Sequence, residues 1–439
     1  MRIRTSMRRG PRGIRDGHEQ EKVAATAHDE YPSAPRAPSP WRNRDYLLLL
    51  SGQSVSALGS YISGLAYPLL ALALTHSPAQ AGLVSVGSFV SYLAFSLVAG
   101  VWVDRLDRRA IMVACAAGQA LVAGSIPLAA ALGHLSVPHL VVASAASTAC
   151  YIFFGVAEGA ALPRVLPPAQ VPAAVARNEV VQSASALGGP PLGGLIYQAL
   201  GRTAPMLLDA ISYAVSALSL ALLRTPLQEE RAAAPRHIGR EVADGLAWLR
   251  GQALVRAIMI YSGALFFVIN ASRFVLIVLA RARGASASDV GLLLAVGSAG
   301  GLLGSLATVR AGARIPFRRV IIGGLWGQAA LCLLYAVAPT TWALAAVWAG
   351  MSFAWPLYNA PTFGRQIALT PDEMQGRIQS VGGLLFFGPS TLSAAVAGVL
   401  LQTVGPAPTA LVFTTVLLVV ALAATQNTAI KAASPRTDW

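Results

Sequence analysis

The chain has 439 residues, 12% of them charged and 55% hydrophobic, with a formal net charge of +14. Soluble domains carry roughly 25% charged residues, so too little polar surface remains here to cover a particle in water. That excludes a soluble globular enzyme and points to a polytopic membrane protein, in keeping with a mean hydropathy of +0.58.

Residues 1–44 hold ten Lys/Arg, several Pro and almost no apolar periodicity. This is the composition of a disordered arm. It has no apolar core of the kind a secretory signal needs. A basic arm suits nucleic acid or anionic lipid; beside a membrane domain the expected partner is lipid at the cytoplasmic face, not nucleic acid.

Twelve apolar segments follow, near 46–74, 81–103, 110–132, 138–162, 176–200, 204–223, 254–280, 289–309, 319–338, 341–363, 377–402 and 408–425. A helical span needs roughly 20 residues, and none of these segments shows the ten-residue alternation of a membrane barrel. The expected fold is an all-α membrane protein of twelve transmembrane helices in two six-helix bundles, 45–223 and 254–425. Between them lies a central loop, 224–253, and after them a tail, 426–439. In the loop, Arg240 to Arg250 places Val242, Leu246 and Leu249 on one face, which reads as an amphipathic helix on the inner surface or as a solvated linker.

Orientation follows from the basic residues. With the N-terminus inside, 29 of the 33 Lys/Arg fall in inner segments; Arg202, Arg281 and Arg283 fall outside and Arg273 lies within a span. Basic residues concentrate in cytoplasmic loops. The expected location is therefore the cell membrane, multi-pass, with both termini cytoplasmic.

The halves echo one another. Arg108-Arg109 precede the third span and Arg318-Arg319 the ninth; Arg177 opens the fifth and Arg377 the eleventh; Gly189-Pro190 recurs as Gly388-Pro389. Duplicated six-helix units are a hallmark of secondary transporters, which handle substrate between the halves.

Gly100-Val-Trp-Val-Asp-Arg-Leu-Asp-Arg-Arg109 carries five charges between the second and third spans. It resembles the motif G-x-x-x-D-R-x-[DG]-R-R of the major facilitator superfamily. Gly100 would let two helices approach. Asp104 would accept charge-assisted hydrogen bonds or face a helix N-terminus. Arg105, Arg108 and Arg109 would bind carboxylates, carbonyls or lipid phosphates. The resemblance implies a conformational latch, closing near Thr370 to Arg377, although the same charges also suit a simple topological anchor. The matching stretch Arg310 to Arg319 lacks the aspartate. Gly189-Pro190-x-x-Gly193-Gly194 resembles the motif that marks the exporting antiporters of the superfamily, where it is held to seal the substrate path. Thr370 and Glu373 have capping-box spacing, with Pro371 at the first helical position. With Trp41 to Tyr46 and Leu58-Gly59-Ser60, that segment resembles the branch of macrolide efflux proteins and the enterobactin exporter.

Ionisable groups inside spans are costly and mark function. Asp209, Glu158 and Arg273 are the candidates for proton coupling, because a low-dielectric site favours the neutral form of an acid and lets it exchange a proton near neutral pH. Asp209 could instead pair statically with Arg273, and Glu158 could sit at the interface near Arg164. Gln53, Tyr61, Gln182, Asn270, Trp355 and Tyr358 are candidates for a cavity wall suited to an amphiphilic solute. No phosphate-cradling loop, catalytic constellation or metal spacing is present, so neither an enzyme nor a cofactor is expected. The reading is a proton-coupled exporter of a small organic molecule, acting as a monomer with substrate, protons and lipid as partners. A facilitator or importer of a sugar or metabolite is the alternative.

Overall fold

The computed structural model describes residues 43–96, 98–167, 170–227, 238–311 and 315–433. The basic arm and the end of the C-terminal tail lie outside the described residues. Among the described residues every regular element is a helix, in the order α1 Arg44–Thr75, α2 Pro78–Phe95, α3 Ala99–Arg105, α4 Arg108–Ala131, α5 Val137–Val165, α6 Val171–Ala199, α7 Ala204–Ala221 and α8 Ile238–Gly251. The second half continues with α9 Ala253–Ala282, α10 Ala287–Ala311, α11 Phe317–Val337, α12 Thr341–Leu369, α13 Asp372–Thr391, α14 Ser393–Thr403, α15 Pro406–Gln426 and α16 Thr428–Ala432.

Ten helical stretches are long and apolar enough to cross a membrane. The helices α6 and α12, each of 29 residues, fall outside that set. Arg177, Asn178 and Glu179 dilute the first, and Asn359, Thr362 and Arg365 dilute the second. Two expected spans are broken. The run 81–103 divides into α2 and α3. The run 377–402 divides into α13 and α14, just after Pro389, a residue that cannot donate the next helical hydrogen bond.

Local chemistry sets the helix starts. Ser77 accepts a hydrogen bond from Gln80 N at 3.2 Å, and Pro78 occupies the first turn of α2. Asp107 accepts from Ala110 N at 3.1 Å and starts α4. Both follow the N-cap rule. Thr370 donates to Gln366 O at 2.7 Å, closing α12, and α13 starts after Pro371. The side chain of Glu373, the other half of the expected capping box, lies outside the described residues.

Packing repeats between halves. In the first, α7 lies against α1 and α4, α5 against α2 and α4, and α6 against α1. In the second, α15 lies against α9 and α11, α12 against α10 and α11, and α13 against α9. Among the described residues, two long seams join the halves: α6 with α10, and α2 with α14 and the neighbouring part of α13. The loop helix α8 is present, but it docks onto the second half. Leu249 is buried with Val255, Met259, Ile378 and Val381, Asp244 pairs with Arg377 at 3.6 Å, and Leu246 stays exposed.

Candidate transport cavity

Three adjoining cavities open inside the helical shell, one lined by the first half alone and two lined by both halves. On the first-half side, a cavity of about 520 Å³ is lined by Gln53, Tyr61, Gln119, Glu158, Glu179 and Gln182, among others. On the second-half side, one of about 540 Å³ is lined by Tyr61, Phe266, Asn270, Arg273, Trp348 and Trp355. A third, of about 380 Å³, holds Tyr67, Ser88, Thr148, Asn270 and Arg273. Tyr61 belongs to the first two, and Asn270 with Arg273 to the last two, so the compartments adjoin.

The structure brings together most of the expected wall. Gln53, Tyr61, Gln182, Asn270 and Trp355 all face these cavities. Tyr358 does not: it is 1% exposed, and its hydroxyl lies 2.9 Å from Ser262 Oγ in the core. In the wall, Trp355 meets Phe266 at 5.4 Å between ring centroids, and Phe266 meets Phe387 edge-on at 5.6 Å.

Glu158 faces the 520 Å³ cavity, as does Glu179, which sequence reasoning passed over. Its signal was Arg177-Asn-Glu179 inside an otherwise apolar run. Asp209 is 4% exposed. Ser63 Oγ donates to one of its carboxylate oxygens at 2.5 Å, and Ser212 Oγ approaches the other at 3.4 Å. Among the described residues no ion pair joins Asp209 to Arg273, so the static pairing is not formed. Asp209 sits instead in a hydroxyl-rich stretch of α1 and α7. Tyr213 lines the cavity and its hydroxyl lies 2.8 Å from Ser60 Oγ. Ser63 Oγ contacts Ser60 O at 3.3 Å as well as Asp209.

Arg108 donates to Ala160 O at 3.3 Å and Leu227 O at 3.4 Å. Arg109 donates to Leu220 O at 3.3 Å and to Ala221 O. Ala160, Leu220 and Ala221 lie toward the C-terminal ends of helices in the same half, where a cation is favoured by the helix dipole, and Leu227 lies in the loop after α7. Arg105 is exposed. Gly100, expected to admit a close helix, faces open space. The side chain of Asp104 lies outside the described residues. Arg377 pairs with Asp244 of α8, as above.

The Gly-Pro segment of α6 is a packing hub. A Cβ on Gly189 would strike Tyr61, one on Gly193 the Ile62 carbonyl, and one on Gly194 the Ala287 carbonyl. Gly291 in turn rests on Pro190 O. Close backbone approach of this kind requires residues without bulk. The other seam repeats the arrangement: Gly82 rests on Ala394 O and Gly398 on Pro78 O.

Sequence reasoning also missed two glutamines. Gln198 Oε1, on α6, accepts from Ser288 N at 3.4 Å and Ser288 Oγ at 2.9 Å, at the start of α10. Gln402 Oε1, on α14, accepts from Ala79 N at 3.3 Å and Ser77 Oγ at 2.5 Å, at the start of α2. Each glutamine follows its seam glycine by four residues, as Gly194-Leu-Ile-Tyr-Gln198 and Gly398-Val-Leu-Leu-Gln402. Each caps the first turn of a helix from the other half, where backbone donors lack intrahelical partners. Both clamps stand at the end of the molecule poor in arginine.

This architecture, two repeated helical units around cavities of mixed polar and apolar lining in an apolar shell, defines a multi-pass membrane transporter of the major facilitator fold. The chain belongs to the family described as transmembrane secretion effectors, whose pattern it matches over residues 36–437. It is 32% identical to the multidrug efflux pump Tap of Mycobacterium tuberculosis, over 48% of this chain and 52% of that protein. It is 25% identical to macrolide efflux protein A of Streptococcus pyogenes, over 52% of this chain and 56% of that one. The matches thus span about half the length of these curated relatives. Among solved structures, the nucleoside transporter NupG superposes with a TM-score of 0.71 at 14% identity, covering 86% of this chain and 98% of that chain.

Proposed function

We propose that the chain is a proton-coupled exporter of small amphiphilic organic molecules that works by alternating access. In this reading α6 and α12 also cross the bilayer, giving six spans plus six with both termini in the cytoplasm. The arginine-rich end then faces the cytoplasm, and the two glutamine clamps close the outer end. The observation that carries the reading is the cavity system itself: two of its three compartments lie between the halves, and each closing seam is built from glycines and a glutamine that bind only when the halves meet. Efflux by the relatives named above supports the direction of transport. The Gly189 to Gly194 hub supports it too, since it seals α6 against α1 and α10 together.

Glu158 and Glu179 on the wall, and Asp209 behind Tyr213, Ser60 and Ser63, supply proton carriers. Protonation of Asp209 removes a charge from a site where only hydroxyls compensate it, and this couples proton uptake to rearrangement of α1 against α7. The experiment is transport of an aromatic amphiphile in proteoliposomes. An imposed pH gradient should drive its accumulation, and substrate flux should move protons in return. Flux indifferent to the gradient would sink the coupling; downhill uptake in intact cells, unchanged by an uncoupler, would favour a facilitator.

A further inference from the structure

Arg273 is a cation without an anion. It stands on α9 where the 540 Å³ and 380 Å³ cavities meet and lines both. Among the described residues no carboxylate lies within ion-pair distance of it, and no hydrogen bond holds its guanidinium. Neither cavity is lined by any Asp or Glu. They offer donors instead. The Ser88 hydroxyl accepts from Thr148 Oγ1 at 2.9 Å, which leaves its own proton for a third group. Asn270 spends one amide proton on Phe266 O at 2.8 Å and keeps another.

Arginine stays charged in proteins, and a charge in a low-dielectric wall is strongly disfavoured unless something pairs with it. The acids that could have paired with it stand elsewhere: Asp209 is engaged by serines, and Glu158 and Glu179 line the compartment that shares Tyr61 but not Arg273. The protein thus leaves Arg273 without a fixed counter-charge.

We propose that Arg273 is the docking point for an oxyanion carried by the transported molecule, so that the substrates include amphiphilic organic anions such as aromatic carboxylates. The planar guanidinium takes a carboxylate through two parallel hydrogen bonds, Ser88 and Asn270 donate from the side, and the aromatic body lies along Phe266 and Trp355. Repulsion from Glu158 and Glu179 keeps the anionic end at Arg273 and so fixes the orientation of the molecule. This assignment rests on the reading of the cavity as the transport path.

The test is equilibrium binding to the full chain in nanodiscs, read by energy transfer from its tryptophans to two probes of similar shape and opposite charge: 4-(1-pyrenyl)butyrate and its trimethylammonium analogue. Wild-type protein should bind the anion more tightly than the cation. Arg273→Gln should weaken the anion by about ten- to a hundredfold, the usual size of a lost hydrogen bond to a charged group, and leave the cation unchanged. Arg273→Lys keeps the charge but loses the fork, and should fall between the two. Equal affinity of wild type and Arg273→Gln for the anion, or tighter binding of the cation by wild type, overturns the assignment. Should Arg273→Gln fail to fold, Arg273→Lys decides, and unchanged anion affinity there overturns it as well. Binding is read without transport, so loss of the anion site leaves the exporter standing. Wild-type protein that binds the anion yet exports nothing would remove the exporter and keep the site.

Discussion

The two halves of the molecule are alike where they touch each other and unlike where they face the cavity. At the seams the same solution appears twice. A glycine and, four residues later, a glutamine on α6 or α14 meet a helix start and a glycine on α10 or α2. In the cavity the first half presents Glu158, Glu179 and Tyr213, whereas the second presents Arg273, Phe266 and Trp355. On the proposed transport cycle both seams open and close together, which accounts for the duplicated contacts, while residues that would meet cargo are free to diverge.

The seams also differ in stiffness. The helix α6 runs unbroken for 29 residues and is pinned to α1 through Gly189 and Gly193. The helix α14 is an 11-residue piece after a break. A bulky residue in the first seam should therefore do more harm than the same residue in the second. Gly194→Leu should cut substrate efflux from cells by roughly a hundredfold and Gly398→Leu by roughly tenfold, the range that overpacking by 1–3 kcal/mol allows. Equal losses at the two positions would mean that the break gives α14 no freedom to adjust.

The second break in the comparison concerns chemistry. Asp209→Asn keeps the hydrogen-bonding shape but removes the proton carrier. Accumulation driven by a pH gradient should fall to the level of empty vesicles, while substrate counterflow should persist. Counterflow lost in parallel would make Asp209 a structural residue of the α1–α7 contact.

A third test asks whether the clamps are equivalent. Spin labels at Leu200 and Val404, both exposed at the arginine-poor end on opposite halves, would report the separation of the halves. Gln198→Ala and Gln402→Ala should each shift the population toward the longer distance about fivefold, the typical worth of a helix cap. The double variant should shift it by about their product, because the sites share no partner. Gln→Glu at either position keeps an acceptor at a helix N-terminus and should restore the wild-type distribution.

The smallest effect is expected outside both seams. Arg109→Ala removes donors to the α7 carbonyls and should lower unfolding stability by about 1 kcal/mol, seen as a small drop in Tm, with efflux reduced less than twofold. A complete loss of efflux in well-folded Arg109→Ala would show that the 100–109 loop is a latch and not only a staple within its own half.

Much of the scaffold was legible in the sequence. Apolar runs, the 199- to 210-residue repeat and the basic loops gave the helices and their order, because each is a local property of composition. Five of the six proposed wall residues face the cavities for the same reason: a polar or aromatic residue in an apolar run has few other places to go. Tyr358 was the exception, since a tyrosine can also bury its hydroxyl against a serine. Glu179 was passed over because Arg177 beside it made the segment read as a span end. Gln198 and Gln402 were passed over because a glutamine near a helix terminus looks like a solvated one.

By itself, then, the sequence determined that this chain is a helical membrane protein of two related halves, with glycine and proline at matched positions and its charges gathered at one end. Only the tertiary structure decided which side chains meet. Asp209 and Arg273 are both ionisable residues inside apolar spans, yet one is held by serines and the other faces a cavity. Gln198 and Ser288 stand 90 residues apart and touch. The reason is geometric: a rise of about 1.5 Å per residue fixes a side chain's height along its helix, but its facing depends on rotation and packing of neighbouring helices, which no single run of residues encodes.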